Sequence, residues 1–438
     1  MKKTVSIILI FVLSLSLFSC RGIAYDRYSV AKAATKMNVT NADYRQEGYA
    51  EFISKLSAFS ARLTATVLEG EENDENIAIS PLSVYMALAL AAECAEGETR
   101  EEILSAVGVT YEELEAFTTY LYAFSNREFN YMNAFEQEKV SAFEELTNSI
   151  WADDGLTLRD AGVNKLANDY NCDLFRVNFG SGEAKRAISA YIKDKTHGLV
   201  DGDLELSPET IITLINTFYL KEVWNSDGDE LEFTPDEYSF KEGDGEIERT
   251  RLLMGYYQGG KAYEGDGYSA FYARTGHGFD IKFILPNENK ALSEVFTAEN
   301  IYEVNSITDW GREDHENRLL HSTRVFFPEY EADFDDDIKG TLREMGIEKL
   351  FDRSEADLSG ITDTPAYCSA VIHKCELEVN KKGIEGAAVT VIALDGTAGP
   401  PIDEYEKVYH DFIVDRAFGF VITDAYGAVL FSGVVNEI

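Results

Sequence analysis

The stretch 376–398 reads ELEVNKKGIEGAAVTVIALDGTA and joins a strand pattern to an unusual run of small and β-branched residues. Polar and apolar residues alternate up to Asn380, which is typical of a half-buried strand. Gly383 predicts a turn, and the residues after it predict a second strand-competent segment. That segment ends before Gly399-Pro400-Pro401, because proline cannot lie inside a central strand.

Alternate side chains of the second segment form two sets of different character. One set carries both charged residues of the segment, Glu385 and Asp395. The other set is uncharged throughout: Ile384, Gly386, Ala388, Thr390, Ile392, Leu394 and Gly396. Neighbouring strand residues point to opposite faces, so the uncharged set could be buried in a sheet without leaving a charge in an apolar medium. The segment is either an ordinary hairpin strand or a loop that becomes a sheet strand in a second state.

This stretch resembles the hinge of the serpins, the serine protease inhibitor superfamily, which reads E-V-N-E-x-G-T-x-A-A-A. The residues that align with the hinge are Glu378, Asn380, Lys381, Gly383, Ile384, Glu385, Gly386, Ala387 and Ala388. Lys381 stands where the family usually has Glu, and it inverts a charge that normally pairs nearby. Ile384 replaces Thr and Gly386 replaces Ala, so neither change puts a charge on the uncharged set.

Further motifs of the same family occur in the expected order, so that the resemblance covers residues 49–438. It implies an α+β serpin fold with three β-sheets, about eight or nine helices and an exposed reactive-centre loop near residues 383–411. It also implies a suicide-type inhibitor rather than an enzyme. A protease attacks the loop and forms an acyl-enzyme, and the cut loop then inserts into the main sheet. The alternative within the family is a non-inhibitory serpin that acts as a protease substrate, carrier or binding module.

The family's spacing from Gly383 predicts the reactive bond between Thr397 and Ala398, with cleavage after Leu394 as the alternative. These residues are small or apolar and carry no charge. They suit an elastase-like or subtilisin-like serine protease and disfavour a trypsin-like one. A cysteine protease target stays open.

Two segments resemble the serpin shutter and breach, the regions beneath and at the top of the main sheet. Ser80 can cap a helix that begins at Pro81 and is apolar nearly all round, which predicts a buried helix. The stretch 211–224, IITLINTFYLKEVW, predicts a strand in which Glu222 replaces the family's usual Gly. The resemblance assigns these residues to the shutter and breach: Ser80, Ser83, Asn216, Trp224 and His373.

Motifs for metal binding or enzymatic chemistry are absent from the sequence. His315-Glu316 and His321 lack the H-E-x-x-H spacing of a metalloprotease, and we interpret both histidines as solvated helix residues. No G-x-S-x-G nucleophile motif occurs. The four cysteines after residue 20 show no ligand spacing, so we predict buried free thiols, no metal and no cofactor: Cys94, Cys172, Cys368 and Cys375.

The formal net charge of −39 excludes a general nucleic-acid binder, which needs Lys and Arg to displace counterions. It also argues against the glycosaminoglycan cofactors that some serpins use. Length alone would suggest two or three domains, but no linker or internal repeat is visible after residue 48. We therefore predict one domain, residues 49–438, and a monomer whose partner is its target protease.

The N-terminus predicts export. Residues 1–19 combine Lys2 and Lys3 with a short apolar run, as in a signal peptide. The residues before Cys20 resemble a bacterial lipobox, which implies lipidation of Cys20 and a polar tether over residues 20–48. The predicted location is the cell envelope or the extracellular space, with membrane contact only through the lipid on Cys20.

Overall fold

The computed structural model describes residues 25–33, 46–70, 75–126, 128–132, 139–200, 207, 209–225, 229–386 and 405–438. These ranges contain nine α-helices, in agreement with the predicted number. They are α1 (Tyr49–Glu69), α2 (Pro81–Cys94), α3 (Gly97–Val107), α4 (Tyr111–Phe124), α5 (Asp160–Asp169), α6 (Gly182–Lys195), α7 (Leu292–Val295), α8 (Ala298–Asn305) and α9 (Lys339–Glu344).

The described strands form three sheets, which confirms the predicted α+β class. They are β1 (Ser29–Ala31), β2 (Ile77–Ile79), β3 (Glu128–Met132), β4 (Lys139–Asp153), β5 (Cys172–Val177), β6 (Ile212–Val223), β7 (Glu232–Phe233), β8 (Tyr238–Lys241), β9 (Ile247–Thr250), β10 (Leu253–Gly259), β11 (Tyr263–Glu264), β12 (Tyr268–Arg274), β13 (Asp280–Pro286), β14 (Glu313–Asp314), β15 (Leu319–Phe327), β16 (Tyr330–Asp337), β17 (Ile372–Asn380), β18 (Gly383–Gly386), β19 (Glu406–Ile413), β20 (Phe418–Thr423) and β21 (Val429–Val435).

The largest sheet has the order β1-β5-β4-β6-β18-β17-β16-β2-β21-β20-β13-β12-β11, and β3 pairs with β4. Strand β2 joins its two halves, because Ile77 pairs with both Asp333 of β16 and Val434 of β21. In the second sheet β10 and β19 lie on either side of β15, and β19 runs parallel to β15. Strands β8 and β9 form a separate hairpin.

Two helices cover opposite faces of the β6 region. All residues of α2 are buried, as the apolar run predicts, and the helix packs against β6 and β21. Its neighbour across the sheet is α6, which packs Ile188 and Tyr191 onto Trp151 and Ile215. Strand β6 therefore has a core face toward α2 and an outer face under α6.

The N-terminal segment contacts the domain earlier than the sequence predicts. Tyr25 is buried, its ring lies 5.0 Å from that of Tyr191, and its hydroxyl donates to Asp194 Oδ2 at 2.6 Å. Strand β1 then pairs with the edge strand β5. Residues 25–33 are thus part of the packed domain, and the prediction of a free polar tether is wrong for them. Cys20 lies outside the described residues.

The histidine prediction is also wrong in part. His321 lies in β15 and is buried, whereas His315 is exposed in the turn between β14 and β15. A β-hairpin, and not a helix, carries both residues. The four thiols are free and buried: Cys94, Cys172, Cys368 and Cys375. Within the described ranges, no helix is both long and apolar enough to cross a membrane.

Candidate functional site

The hinge residues form a short strand inside the large sheet. Strand β17 ends at Asn380, the chain turns, and β18 runs back antiparallel between β17 and β6. Ile384 pairs with Val379 on one side and with Glu222 on the other. The part of the hinge up to Gly386 therefore lies in the sheet as one of its central strands.

Each side chain of β18 is suited to its face. A Cβ atom on Gly383 would lie 1.7 Å from the carbonyl oxygen of Glu222, so only glycine fits this position. Ile384 is 1% exposed and faces the core. Glu385 faces the other way, where it accepts a hydrogen bond from the Tyr219 hydroxyl at 2.8 Å and lies 3.5 Å from Lys221 Nζ.

Lys381, at the turn before β18, has an acidic environment. Its Nζ lies 2.7 Å from Glu230 Oε2, and its backbone N–H donates to Glu329 Oε1 at 2.8 Å. The hydrogen bond with Glu230 raises the pKa of Lys381 above its usual value. The inverted charge that the sequence identifies is thus matched by an acidic partner, and Lys381 stays half-exposed at the surface.

Trp224 closes the top of this region. Its indole N–H donates to the carbonyl oxygen of Asn380 at 2.6 Å, and its ring packs against Phe327 at 5.3 Å. At the far end of β6, Ile212 bridges directly to Cys368. Between these two points a cavity separates β6 from β17. Its walls include Ser83, Ile192, Asn216, Phe218, Cys375 and Glu376.

Three of the five predicted shutter and breach residues, Ser80, Ser83 and Asn216, line the floor of this cavity, and His373 is hydrogen-bonded to Ser80. The backbone N–H of Ser80 donates to His373 Nε2 at 3.0 Å, and the Ser83 hydroxyl bonds to Asn216 Oδ1. The Asn216 amide also donates to Asn148 Oδ1 at 2.6 Å. Burial lowers the pKa of His373 to about 4, so the ring is neutral at pH 7 and can accept this hydrogen bond.

These contacts join α2 to three strands, β4, β6 and β17. Trp224 lies apart from them, one residue beyond the end of β6. The contacts of Ser80, Ser83 and Asn216 thus link β6 and β17, the two strands that flank the cavity, to the buried helix α2. Ala387, Ala388, Leu394, Thr397 and Ala398 lie outside the described residues.

A buried acid and imidazole lie next to the hinge, and the sequence gives no sign of their contact. His277 Nδ1 lies 3.1 Å from both carboxylate oxygens of Glu222, and the His277 backbone N–H donates to Oε1 at 3.1 Å. Both side chains are almost fully buried, and burial raises the pKa of Glu222. In the sequence, only Glu222 in place of the family's usual Gly points to a special site here. It does not identify His277 as the partner.

The described residues contain no group of three or more His, Cys, Asp or Glu side chains placed to hold a metal ion. Within these residues, the site therefore consists of paired strands and buried polar contacts. The short strand β18 and the cavity lie one after the other between β6 and β17.

Comparison with known proteins identifies the architecture. A family model described as Serpin (serine protease inhibitor) matches residues 54–438. The chain belongs to the serpin family. Serpins act on proteases and are not enzymes, and the family also includes non-inhibitory members. Iripin-1 of Ixodes ricinus is 27% identical to this serpin over 405 residues, which is 90% of this chain and 96% of the relative.

Two solved structures share the serpin fold. The native state of tengpin, a thermophilic serpin, superposes with a TM-score of 0.69 at 22% identity, covering 94% of this chain and 98% of tengpin. Human thyroxine-binding globulin, solved in complex with thyroxine, gives a TM-score of 0.67 at 20% identity and covers 88% and 98%.

Proposed function

We propose that this serpin inhibits an extracellular endopeptidase, a serine protease of elastase-like or subtilisin-like preference, by trapping the acyl-enzyme through loop insertion. The observation that carries the proposal is β18, which already lies between β6 and β17 above a cavity between the same two strands. An inserted loop would lengthen β18 beyond Gly386.

The pairing of β18 specifies a register for that extension. Gly383 opposite Val223 and Gly386 opposite Leu220 define an antiparallel ladder along β6. Continuing it places Ala388 beside Phe218 and Thr390 beside Asn216. On the other side, the ladder with β17 places Thr390 beside His373, because Asn380 pairs with Gly383. Insertion would bring an uncharged side chain onto the polar floor of the cavity.

Insertion of this register buries no charge. The side chains that would face the core continue the set of Ile384, which is uncharged up to Gly396. Glu385 stays on the outer face, where it already has two partners. A buried unpaired carboxylate would oppose insertion by several kcal/mol, and this sequence avoids that cost.

The trapped state follows from the chemistry of serine proteases. The acyl-enzyme is hydrolysed only while the oxyanion hole and catalytic triad keep their alignment. A loop that inserts while still esterified to the protease drags the protease along the sheet and distorts its active site. The native state lacks one strand of its most stable sheet and persists through kinetic rather than equilibrium stability. The free energy released when the loop inserts drives the trapping.

The test is to mix the domain with pancreatic elastase and, separately, with subtilisin. An adduct that survives denaturing gel electrophoresis, together with a released peptide that begins at Ala398, supports the proposal. A peptide that begins after Leu394 supports the alternative bond. Clean cleavage with the protease still active favours the substrate alternative.

We also infer that the protein is exported through residues 1–19 and held to a membrane by lipid on Cys20. The support is the apolar run and the lipobox-like residues before Cys20. Labelled fatty acid should be incorporated into the wild-type chain and not into Cys20→Ser. Incorporation into both would overturn the anchor.

A second candidate function, a carrier, is favoured by a large cleft that no residue of β18 lines. The cleft measures about 1140 Å³ and is lined by Leu68, Gly243, Asn287, Leu292, Phe296 and Arg416. Its size exceeds that of most small-molecule sites, and a fold relative is solved with thyroxine bound. Saturable thyroxine binding that is lost in Leu68→Trp would support this alternative.

A further inference from the structure

The segment 25–33 is bound along the length of α6. The Tyr25 hydroxyl donates to Asp194 Oδ2 in the last turn of the helix, at 2.6 Å. In the first turn, Glu183 Oε2 accepts a hydrogen bond from the Tyr28 hydroxyl at 2.9 Å. Strand β1 of the same segment pairs with the edge strand β5. The segment, β5 and α6 thus form one surface, which we name the α6 face.

Tyr25 is a fixed point on this face. Its side chain is 4% exposed, and its ring packs edge to face against Phe175 of β5 and Tyr191 of α6, with centroids 5.9 Å and 5.0 Å away. Contacts with both elements hold the residue in place. The point from which the chain continues towards Cys20 is therefore set by the packing of the domain.

The chain between Cys20 and Tyr25 is short. Five residues span at most about 18 Å in any conformation, because consecutive Cα atoms are at a fixed distance. A compact domain of this size is about 55 Å across. A lipid on Cys20 would therefore keep the membrane close to Tyr25, and the opposite side of the domain could not reach it.

The α6 face is basic, although the protein is strongly acidic. Its elements contain seven Lys or Arg and four Asp or Glu, a net charge of +3, whereas the whole chain carries −39. Lys185, Arg186 and Lys193 are exposed on the helix. The acidic residues of the face all accept hydrogen bonds from within it: Asp26, Asp173, Glu183 and Asp194.

A lipid surface is the partner that fits this face. Anionic headgroups attract Lys and Arg that are held within a Debye length of them, and they repel carboxylates over the same distance. An anchored domain with a large negative charge is repelled least when its basic face is turned to the membrane. Val30 of β1, which is 44% exposed, adds an apolar side chain to the same face.

We propose that the α6 face lies against the anionic headgroups of the membrane that holds Cys20. Lys185, Arg186 and Lys193 contact the headgroups, and the acidic remainder of the surface faces solvent. The proposal rests on the proposed lipid anchor. It adds a defined orientation of the domain, with the membrane on the outer side of the helix that covers β6.

The experiment couples the chain from Cys20 onward to vesicles through a maleimide lipid. The thiol of Cys20 is the one to react, since the four cysteines of the described residues are buried. The vesicles contain phosphatidylcholine and phosphatidylglycerol. A water-soluble acetylating reagent labels lysines, and mass spectrometry gives a rate for each. The reference is the same chain with a water-soluble maleimide on Cys20. We expect labelling of Lys185 and Lys193 to slow severalfold on vesicles, and that of Lys241 and Lys407, exposed on β8 and β19, to stay unchanged.

A charge-reversal variant tests the electrostatic basis of the orientation. In Lys185→Glu/Arg186→Glu/Lys193→Glu, the reporter is Lys32, whose side chain is 61% exposed on the same face. Lys32 should be protected on vesicles in wild type and labelled at the reference rate in this variant. Vesicles of phosphatidylcholine alone keep the tether and lack the anionic headgroups, so they should leave Lys32 unprotected in wild type.

Lys241→Glu/Arg249→Glu/Arg251→Glu is the matched control. It makes the same change in net charge at exposed residues of the β8–β9 hairpin and beside it, and it should keep the protection of Lys32. Equal labelling of all lysines with and without vesicles would overturn the orientation. A lack of fatty acid on Cys20 in cells would overturn only the anchor, because the maleimide lipid does not depend on it.

Discussion

Ile384 faces the core of the sheet, whereas its neighbour Glu385 lies on the outer face. Replacing Ile384 by arginine would place a guanidinium in the apolar interior whenever β18 forms. We expect Ile384→Arg to be cleaved and released instead of forming an adduct. The moles of serpin consumed per mole of protease inhibited should therefore rise steeply.

Glu385→Arg is the matched control for this prediction. It introduces the same side chain one residue later, and it removes only the contacts with Tyr219 and Lys221. This variant should remain mainly an inhibitor. Equal consumption of the two variants would contradict the assignment of faces in β18.

The Glu222–His277 pair leads to a stability prediction. His277→Ala leaves the buried Glu222 carboxyl without its imidazole partner, so it should lower the free energy of unfolding by about 3 kcal/mol. Denaturant unfolding measures the loss. Adding Glu222→Gln to His277→Ala removes the charge and keeps the shape, and it should recover part of the stability. No recovery would mean that packing of the imidazole, and not its hydrogen bond with the Glu222 carboxyl, matters here.

His321 and His410 connect β15 to β19. His321 Nδ1 and His410 Nε2 are 2.9 Å apart, whereas the ring centroids are 5.1 Å apart, so the two nitrogens point almost directly at each other. One proton between them forms an N–H···N hydrogen bond. When both rings are fully protonated, each facing nitrogen carries a proton and two positive charges meet. The pair can therefore hold β19 only while one of the two facing nitrogens is unprotonated.

This geometry predicts that acid loosens β19. Burial, and then His410 and Lys261, lower the pKa of His321 below its ordinary 6.5, and Asp314 opposes them. The folded state then binds fewer protons than the unfolded state. The contribution to stability is present above pH 6.5 and is lost as the pH falls through the lower folded value. The protection factors of the backbone amides of residues 406–413, which correct for the pH dependence of intrinsic exchange, should fall between pH 7 and pH 5.

His410→Gln is the control for the pH prediction. Its neutral amide cannot acquire the second charge, so the fall in protection factor on acidification should be much smaller. An equal fall in the two proteins would place the acid response elsewhere in the sheet. His315→Gln, on the exposed turn, should behave as wild type.

The sequence predicts a helix or strand well where the residues of that element alone determine its hydrophobic pattern. The buried helix α2 follows from a capped apolar run, and β6 and β17 follow from alternation together with the family resemblance. The length of β18 could not be predicted, because alternation tells which side chains can be buried and not how many residues have entered the sheet. The burial of Tyr25 and His321 could not be predicted, because it depends on partners far away in sequence, Tyr191 and His410.

The same limit applies to the candidate site. Ser80, Ser83, Asn216 and His373 could be assigned together only through the resemblance, since no local pattern links residues that are distant along the chain. No family motif indicates the contact between Glu222 and His277. A buried pair that replaces a glycine is visible only once the strands and the β12–β13 turn are placed against each other.

The final prediction concerns the stability of the whole molecule before and after the loop is cut. While both ends of the loop are anchored, in β18 and in β19, the sheet cannot accept more of the loop than that span allows. Cutting at Thr397–Ala398 frees the β18 side and lets the uncharged set of Ile384 enter between β6 and β17. The added strand pairs and buried apolar surface should raise the thermal unfolding temperature well above that of the intact chain.

Ile384→Arg separates strand insertion from the cut itself. The cleaved variant has the same broken bond, but insertion would bury its arginine, so its unfolding temperature should stay near that of the uncut variant. If cleaved wild type showed no rise either, the cavity between β6 and β17 would not be the place of a missing strand. The proposed trapping mechanism would then lose its driving force, whatever the protease.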